Sequence, residues 1–261
     1  MFMRLVQMRV NPDKIFEFER VYEQVIIPSL QRTAGCLYAG LVQSLEEQND
    51  GISLTIWNSQ AEALAYESSG KYAELVDASR PFFSDASEWR VQLSDDLRLE
   101  FGPVTPEPVV KSYAAEAPVH GGTALPSGRA GSMYVRIFSM KINPEKLQEF
   151  IDIYHREIIP GLRLVEGCLD AYLAEGVKGD NELLSITFWS SLEKARIYEE
   201  SGEFDNLKQK VQHTFSNLAL WKMGLDEVPL PGAQGIAKRA VTSDDVAVRT
   251  YSMIVGKALK E

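Results

Sequence analysis

Residues 52–72 read ISLTIWNSQAEALAYESSGKY, and residues 184–204 read LSITFWSSLEKARIYEESGEF. The second stretch repeats the first at an offset of 132 residues, and the match extends outward in both directions without a gap. Between residues 1–93 and 133–225, 33 of 93 positions are identical. A repeat of this length is too long for one unit of a solenoid, so the 261 residues indicate two whole domains of one fold.

The first half of each repeat carries a strand pattern followed by a helix pattern. Asn11-Pro12 follows the strand of residues 2–10 and predicts an N-cap with proline in the first helical turn. Apolar residues then recur at helical spacing up to Pro28, which is expected to kink or end the helix. Gly35 precedes a second strand at 36–43, and the second repeat carries the same signals 132 residues later.

The second half of the repeat predicts a third strand at 52–57, a helix capped by Ser59 and interrupted at Gly70, and a fourth strand at Trp89–Leu93, with Trp221–Leu225 as its counterpart. The order β-α-β-β-α-β is the ferredoxin-like unit, an α+β fold with helices on one face of an antiparallel sheet. Because the other face needs cover, we expect the two sheets to pack face to face as an intrachain pseudo-dimer.

These signals divide the chain into four segments. We predict a first domain at 1–96, a linker rich in proline and glycine at 97–131, a second domain at 132–228, and a C-terminal extension at 229–261. The linker contains a short strand pattern at Val109–Tyr113. Ala247–Val255 has strand composition and is expected to pair at an edge, with a neighbour or with the other repeat.

Composition excludes several classes of protein. The net charge is −10 and no run of Lys or Arg resembles a phosphate-binding stripe, which argues against a nucleic-acid partner. No apolar run reaches the length of a membrane span and no signal peptide is visible, so we expect a cytoplasmic protein without a membrane partner. Cys36 and Cys168 occupy equivalent positions and are interpreted as buried hydrophobes rather than as a redox pair. The three histidines are scattered, and no metal site is predicted.

The run Leu54–Ser59 followed by Tyr66-Glu67-x-Ser69-Gly70-x-Tyr72, which the second repeat reproduces, resembles the antibiotic biosynthesis monooxygenase (ABM) family of dimeric α/β barrels. The segments Ile26-Ile27-Pro28 and Gly35-Cys36-Leu37 match the family as well. The resemblance implies a cofactor-independent monooxygenase that acts on a small aromatic molecule such as a quinol or an anthrone. No cofactor is therefore expected. It also implies dimeric packing, met here within one chain, with a homodimer as a further option.

The chain departs from the family at positions that carry chemistry in some members. Where members often have two histidines after the third strand, the first repeat has Tyr66 and Lys71, and the second has Tyr198 and Glu203. Heme-degrading relatives use an asparagine on the first strand and an axial histidine on the second helix. The matching positions hold Gln7 and Ser139 and, for the ligand, Val76 and Lys208, so heme degradation is not expected.

Strand alternation gives a candidate site between the sheets. On the third strand we expect the aliphatic residues to cover the helices, leaving Ser53, Thr55 and Trp57 toward the inter-sheet space. The predicted catalytic set comprises a carboxylate base, an indole donor, a phenol and a cation: Asp170, Trp189, Tyr198 and Arg136. The predicted ligand-pocket set is Tyr172, Trp57, Tyr66, Arg4 and Tyr38. The second repeat is ranked first because it adds Asp170 and Tyr172.

Each of these residues also has a structural interpretation. The arginines suit ion pairs at a strand end, the tryptophans suit space filling between packed layers, and the tyrosines suit packing of the second helix on the sheet. The alternative to an enzyme is therefore a non-catalytic ABM-like protein that binds a small ligand or has a structural role. The missing histidines favour that alternative, whereas the family association favours the enzyme.

Overall fold

The computed structural model describes residues 1–46, 49–84, 89–93, 99–103, 109–115, 128–129, 133–177, 182–216 and 246–259. The strands of the first half are β1 (Phe2–Arg9), β2 (Cys36–Ser44), β3 (Asp50–Trp57), β4 (Trp89–Leu93), β5 (Leu99–Pro103), β6 (Val109–Ala115) and β7 (Gly128–Arg129). Those of the second half are β8 (Tyr134–Lys141), β9 (Cys168–Gly176), β10 (Glu182–Trp189) and β11 (Val246–Ala258). The helices are α1 (Ile15–Val21), α2 (Ile27–Gln31), α3 (Gln60–Ser68), α4 (Lys71–Ser79), α5 (Leu147–Ile153), α6 (Ile159–Leu164), α7 (Leu192–Glu200) and α8 (Glu203–Val211).

Eight of the strands form one closed antiparallel barrel. The order is β2-β3-β1-β6-β9-β10-β8-β11, and β11 pairs back onto β2, with the short β7 added beside β11. Within each repeat the register is the same: Phe2 lies opposite Trp57, and Tyr134 lies opposite Trp189. The predicted fold class, two ferredoxin-like units joined as a pseudo-dimeric α/β barrel, is therefore confirmed.

The two repeats meet through β6 and β11, and this changes the predicted fourth strand. Trp89–Leu93 is a strand, but it pairs with β5 in a separate two-stranded sheet. The position beside β1 is taken by β6, from the predicted linker, which also pairs with β9 of the second repeat. Trp89–Leu93 as the sheet's fourth strand is thus wrong. The C-terminal strand pairs with β8 and β2, as expected for an edge strand that joins the other repeat. The segment predicted at Trp221–Leu225 lies outside the described residues, and the four segment boundaries stay a prediction.

The barrel encloses an apolar interior made by strands. Met3, Leu5, Ile52, Leu54 and Ile56 meet their second-repeat equivalents there, together with Tyr38, Tyr172, Phe188 and Met253. Two further cores lie outside the barrel, one in each repeat, where the helices pack on the outer face of the sheet. Both faces of each sheet are therefore buried.

The predicted orientation of the third strand is inverted. Ile52, Leu54 and Ile56 point into the barrel interior, whereas Trp57 packs in the helix-side core. Both faces of this strand are buried, so its aliphatic residues suit either face and its polar residues decide the orientation. The polar Ser53 and Thr55 instead find hydrogen-bond partners, Tyr22 and Trp57, on the helix side.

The first helix of each repeat contains a π turn. In the first repeat α1 passes through the π turn Tyr22–Ile26 into α2, and in the second α5 passes through Tyr154–Ile158 into α6. Pro28 follows the π turn inside the first turn of α2, so the proline is accommodated and the helix continues to Gln31. The predicted caps are confirmed, because Asn11 accepts from the Asp13 amide and Ser59 accepts from the Glu62 amide. Gly70, at φ 82°, separates α3 from α4.

Candidate functional site

In each repeat the described residues form a pocket between the outer face of the sheet and the helices. The first is lined by residues of β1, α1, α2, β3, α3 and α4 and has a volume of about 50 Å³. The second is lined by the equivalent elements of the other half and has a volume of about 30 Å³. The pockets thus repeat with the sequence, and they lie on the side of the sheet opposite to the predicted inter-sheet site.

Arg4 is the charged residue of the first pocket. It projects from β1 and is only 2% exposed. Its Nη2 donates to Glu67 Oε2 at 3.3 Å, and its guanidinium carbon lies 4.8 Å from the ring centre of Tyr72 and 5.7 Å from that of Tyr66. Its Nε is buried and has no hydrogen-bond partner. The arginine that brings a positive charge to the first pocket therefore carries a buried N–H donor without an acceptor.

Arg136 occupies the equivalent place in the second pocket but is bound differently. Its Nε donates to Glu199 Oε1 at 2.6 Å, and its guanidinium carbon lies 4.2 Å from the ring centre of Phe204. Lys208 also lines this pocket, where the first repeat has Val76, and its Nζ is 2.7 Å from Asp205 Oδ1. Both cations of the second pocket are thus engaged by carboxylates.

The two strand tryptophans are buried beneath the pockets. The indole N–H of Trp57 donates to Thr55 Oγ1 at 2.9 Å, and Trp189 does the same to Thr187 at 2.8 Å. Each indole also packs on the tyrosine of the following helix, with a ring separation of 5.0 Å for Trp57–Tyr66 and for Trp189–Tyr198. Since these N–H groups already have acceptors, the tryptophans support the pocket floor rather than offer a donor.

Two tyrosines of the π turns join helix and sheet across the pockets. Tyr22 Oη is 2.8 Å from Ser53 Oγ, and Tyr154 Oη is 2.8 Å from Ser185 Oγ. Burial raises the pKa of both phenols, and it also raises the pKa of Tyr66 and Tyr198 even though an arginine charge opposes the shift there. These phenols therefore stay protonated at neutral pH and act as donors, not bases.

A separate polar group lies in the barrel interior. Asp170 Oδ2 accepts from Tyr172 Oη at 2.8 Å, and Oδ1 accepts from the Ala171 amide at 2.9 Å. Tyr38 and Tyr172 both pack edge-on against Phe188, at ring separations of 6.1 and 5.9 Å. Burial and the Asp170 carboxylate raise the pKa of Tyr172. This group matches the predicted inter-sheet residues on β2 and β9.

The predicted site residues therefore fall into separate places. Asp170, Tyr172 and Tyr38 lie in the barrel interior, whereas Arg136, Tyr198 and Trp189 lie on the helix side of the second repeat. Arg4, Tyr66 and Trp57 form the matching helix-side group of the first repeat. The sheet separates Asp170 from Arg136, so the predicted catalytic set does not converge on one cavity. Lining residues that the predicted sets lacked include Tyr22, Ser53, Tyr72, Tyr154, Phe204 and Lys208.

Some of the lining residues that the prediction missed recur in both repeats of the sequence. Tyr22 and Tyr154 recur at the same place on the apolar face of the first helix, and Ser53 and Ser185 recur on the third strand. Paired recurrence of a phenol and a hydroxyl is compatible with a hydrogen bond, which forms in both halves. The sequence has no equivalent signal for the inverted strand face, because both faces are buried.

Cys36 and Cys168 both carry buried thiols, and burial raises the pKa of the Cys168 thiol to about 12. Among the described residues, no cluster of three or more His, Cys, Asp or Glu side chains could hold a metal ion. None of the helices in these ranges is long and apolar enough to cross a bilayer.

One protein-family model matches the chain twice, once in each repeat. The family model for antibiotic biosynthesis monooxygenase matches residues 1–78 and again residues 133–210, which together exceed half of the chain. The chain belongs to the ABM family. A search of curated proteins finds no match to it.

Solved structures support the ABM fold over the whole chain. A candidate monooxygenase from Lactobacillus acidophilus has a TM-score of 0.63 at 9% identity, covering 99% of this chain and 96% of its own. A second candidate monooxygenase, from Fusobacterium nucleatum, has a TM-score of 0.63 at 8% identity, covering 98% of this chain and 94% of its own. An anthrone oxidase-like protein has a TM-score of 0.55 at 10% identity, covering 100% of this chain and 94% of its own. At these identities the likeness concerns the fold.

Proposed function

We propose that this chain is a monooxygenase of the ABM type that oxidises a small, electron-rich aromatic molecule in the pocket of the first repeat. The observation that carries the proposal is a pocket lined by aromatic and aliphatic side chains around one buried cation, Arg4, in a chain of this family. A planar ligand can pack against Tyr66 and Tyr72, while Arg4 binds its oxygen.

The first pocket is preferred to the second for steric and electrostatic reasons. It is the larger of the two, and its arginine is less fully engaged by a carboxylate. The earlier ranking of the second repeat depended on Asp170 and Tyr172, which face the barrel interior instead.

The proposed reaction needs no base from the pocket lining. In an anthrone the reacting CH₂ carbon lies between two aryl rings and is acidified by the conjugated carbonyl across the central ring. It loses a proton to water, and the resulting carbanion transfers an electron to dioxygen. The C–O bond then forms, the O–O bond breaks, and water leaves, so that CH₂ and O₂ give C=O and H₂O. Arg4 stabilises the negative oxygen of the enolate form, and the pocket excludes bulk water from it.

A second candidate function, binding without catalysis, has specific support. The first pocket has about 50 Å³, whereas a cavity of about 150 Å³ is known to hold benzene. A quinol or anthrone therefore requires the pocket lining to move apart. Among the residues that the structure describes, neither pocket is lined by a histidine or a carboxylate.

The test measures oxygen uptake and quinone formation over a panel of hydroquinones and anthrones. Val6 lines the first pocket, and its counterpart in the second is Phe138. Val6→Phe should fill the first pocket and lower uptake at least about tenfold, whereas the matched Phe138→Val should not lower it. Unchanged uptake in Val6→Phe would refute the first pocket as the site. Absence of uptake by the unaltered protein with every compound would favour the binding function.

A further inference from the structure

We propose that the two pockets are not equivalent: the first receives a single aromatic oxyanion, a phenolate or an enolate, on Nε of Arg4, whereas Glu199 occupies the corresponding donor in the second. This inference rests on the proposed function, since it names the ionised form of the ligand in the first pocket.

The donor in the first pocket is the starting point. Among the side chains that the structure describes, Arg4 Nε is the buried nitrogen or oxygen that lacks a hydrogen-bond partner. A buried N–H of a cation without an acceptor is unfavourable, and a ligand oxygen that accepts from it removes that penalty. Arg4 lines the pocket, so a ligand there has access to this residue.

The second repeat provides an internal comparison with the same fold. Glu67 and Glu199 are equivalent residues, but Glu67 takes Nη2 of Arg4 at 3.3 Å, whereas Glu199 takes Nε of Arg136 at 2.6 Å. The same ion pair therefore leaves Nε unbonded in one half and bonded in the other. A ligand oxygen in the second pocket would have to displace a carboxylate.

The available donor also selects the kind of ligand. Glu67 binds Nη2, so of the two nitrogens on the Nε–Nη2 edge of Arg4 only Nε is without a carboxylate partner, and a ligand that used both would share Nη2 with Glu67. A single N–H suits one phenolate or enolate oxygen better than a carboxylate, which prefers two parallel hydrogen bonds. The neighbouring rings of Tyr66 and Tyr72 suit a planar ligand.

The experiment uses 4-nitrophenol as the probe, with binding followed by the visible absorbance of its phenolate in the full-length protein without turnover. We expect one probe per chain and an ionisation of the bound probe about one pH unit below that of the free probe. Arg4→Gln should weaken phenolate binding at least about tenfold and abolish the ionisation shift, whereas the matched Arg136→Gln should change neither. Unfolding in urea confirms that both variants are folded.

A gain-of-binding variant keeps the test independent of any loss of folding. Glu199→Ala releases Nε of Arg136 and should raise the stoichiometry from one probe to two, whereas Glu67→Ala should leave it at one. Four results would each overturn the inference. They are two equal probe sites in the unaltered protein, probe binding that is weakened by Arg136→Gln alone, an unshifted ionisation of the bound probe, and no binding of the probe. Probe binding at Arg4 without oxygen uptake would refute the proposed catalysis and leave the inference standing. Oxygen uptake that persists in Arg4→Gln, together with no probe binding at Arg4, would refute the inference and the role of Arg4 and would leave the oxidation itself standing.

Discussion

Four lining residues distinguish the two pockets. Val6, Tyr72, Val76 and Ser79 of the first correspond to Phe138, Phe204, Lys208 and Val211 of the second, while the arginine, the two tyrosines and the threonine are the same. Phe138 and Val211 are larger than their counterparts, in agreement with the smaller volume of the second pocket. Small changes in side-chain volume thus separate two sites that share one backbone pattern.

Asp170 is a buried carboxylate whose hydrogen bonds are expected to stabilise the folded protein. It accepts from the Tyr172 phenol in the barrel interior, so Asp170→Asn replaces a charged acceptor with an amide. We predict that Asp170→Asn and Tyr172→Phe each lower the free energy of unfolding, and that a double-mutant cycle gives a coupling of about 1.5–3 kcal/mol. Urea unfolding of the four proteins measures this coupling.

The control is Asp152→Asn, whose exposed carboxylate lies 4.0 Å from Arg156 and should change stability by less than about 0.5 kcal/mol. A coupling near zero between Asp170 and Tyr172 would contradict the assigned hydrogen bond.

At the scale of elements, β11 is the strand that closes the barrel. It pairs with β8 of its own repeat and with β2 of the other. At this junction Gly256 faces Tyr38, whose hydroxyl donates to the Met253 sulfur at 3.8 Å. A Cβ built on Gly256 would overlap the Tyr38 hydroxyl oxygen and lie 2.8 Å from the Met253 sulfur.

We therefore predict that Gly256→Ala lowers the free energy of unfolding by about 1–3 kcal/mol, because the barrel interior has no room for the added methyl group. Tyr38→Phe removes the overlapping oxygen, so Gly256→Ala should cost at least about 1 kcal/mol less in that background. Thermal or urea unfolding of the cycle gives both values.

Gly51→Ala provides a matched control on β3, since its nearest contact would be an ordinary 3.5 Å. If Gly256→Ala lowered the free energy of unfolding equally with Tyr38 and with Phe at position 38, the packing of β11 against Tyr38 would be contradicted.

The elements that were predictable are those whose signal is local. The N-caps, the helix that starts at Asn11-Pro12 and the three strands of each repeat depend on residues close together in sequence, and the structure has them. The fourth strand depends on which segment completes a hydrogen-bonded ladder between repeats, and β6 does this rather than Trp89–Leu93. The strand faces were ambiguous because aliphatic residues suit the barrel interior and the helix side equally. The split of the candidate site follows from that one inversion.

At the scale of the whole molecule, many tyrosines are buried as neutral phenols. Burial raises the pKa of each of Tyr22, Tyr38, Tyr66, Tyr154, Tyr172 and Tyr198, and it raises the pKa of Cys168 to about 12. An unfolded tyrosine ionises near pH 10 and an unfolded cysteine near pH 9. Above those values the unfolded state has lost protons that the folded state keeps, so unfolding becomes more favourable as pH rises.

We predict that stability is insensitive to these groups below about pH 9 and falls steeply above about pH 10, by up to about 1.4 kcal/mol per pH unit for each group. The urea midpoint measured at a series of alkaline pH values reports the slope, and tyrosinate absorbance should rise together with unfolding rather than before it. Tyr22→Phe combined with Tyr154→Phe removes two of the buried phenols and should reduce the slope by about two protons. Tyrosinate formation by all these residues while the protein remains folded would contradict their burial between sheet and helices and inside the barrel.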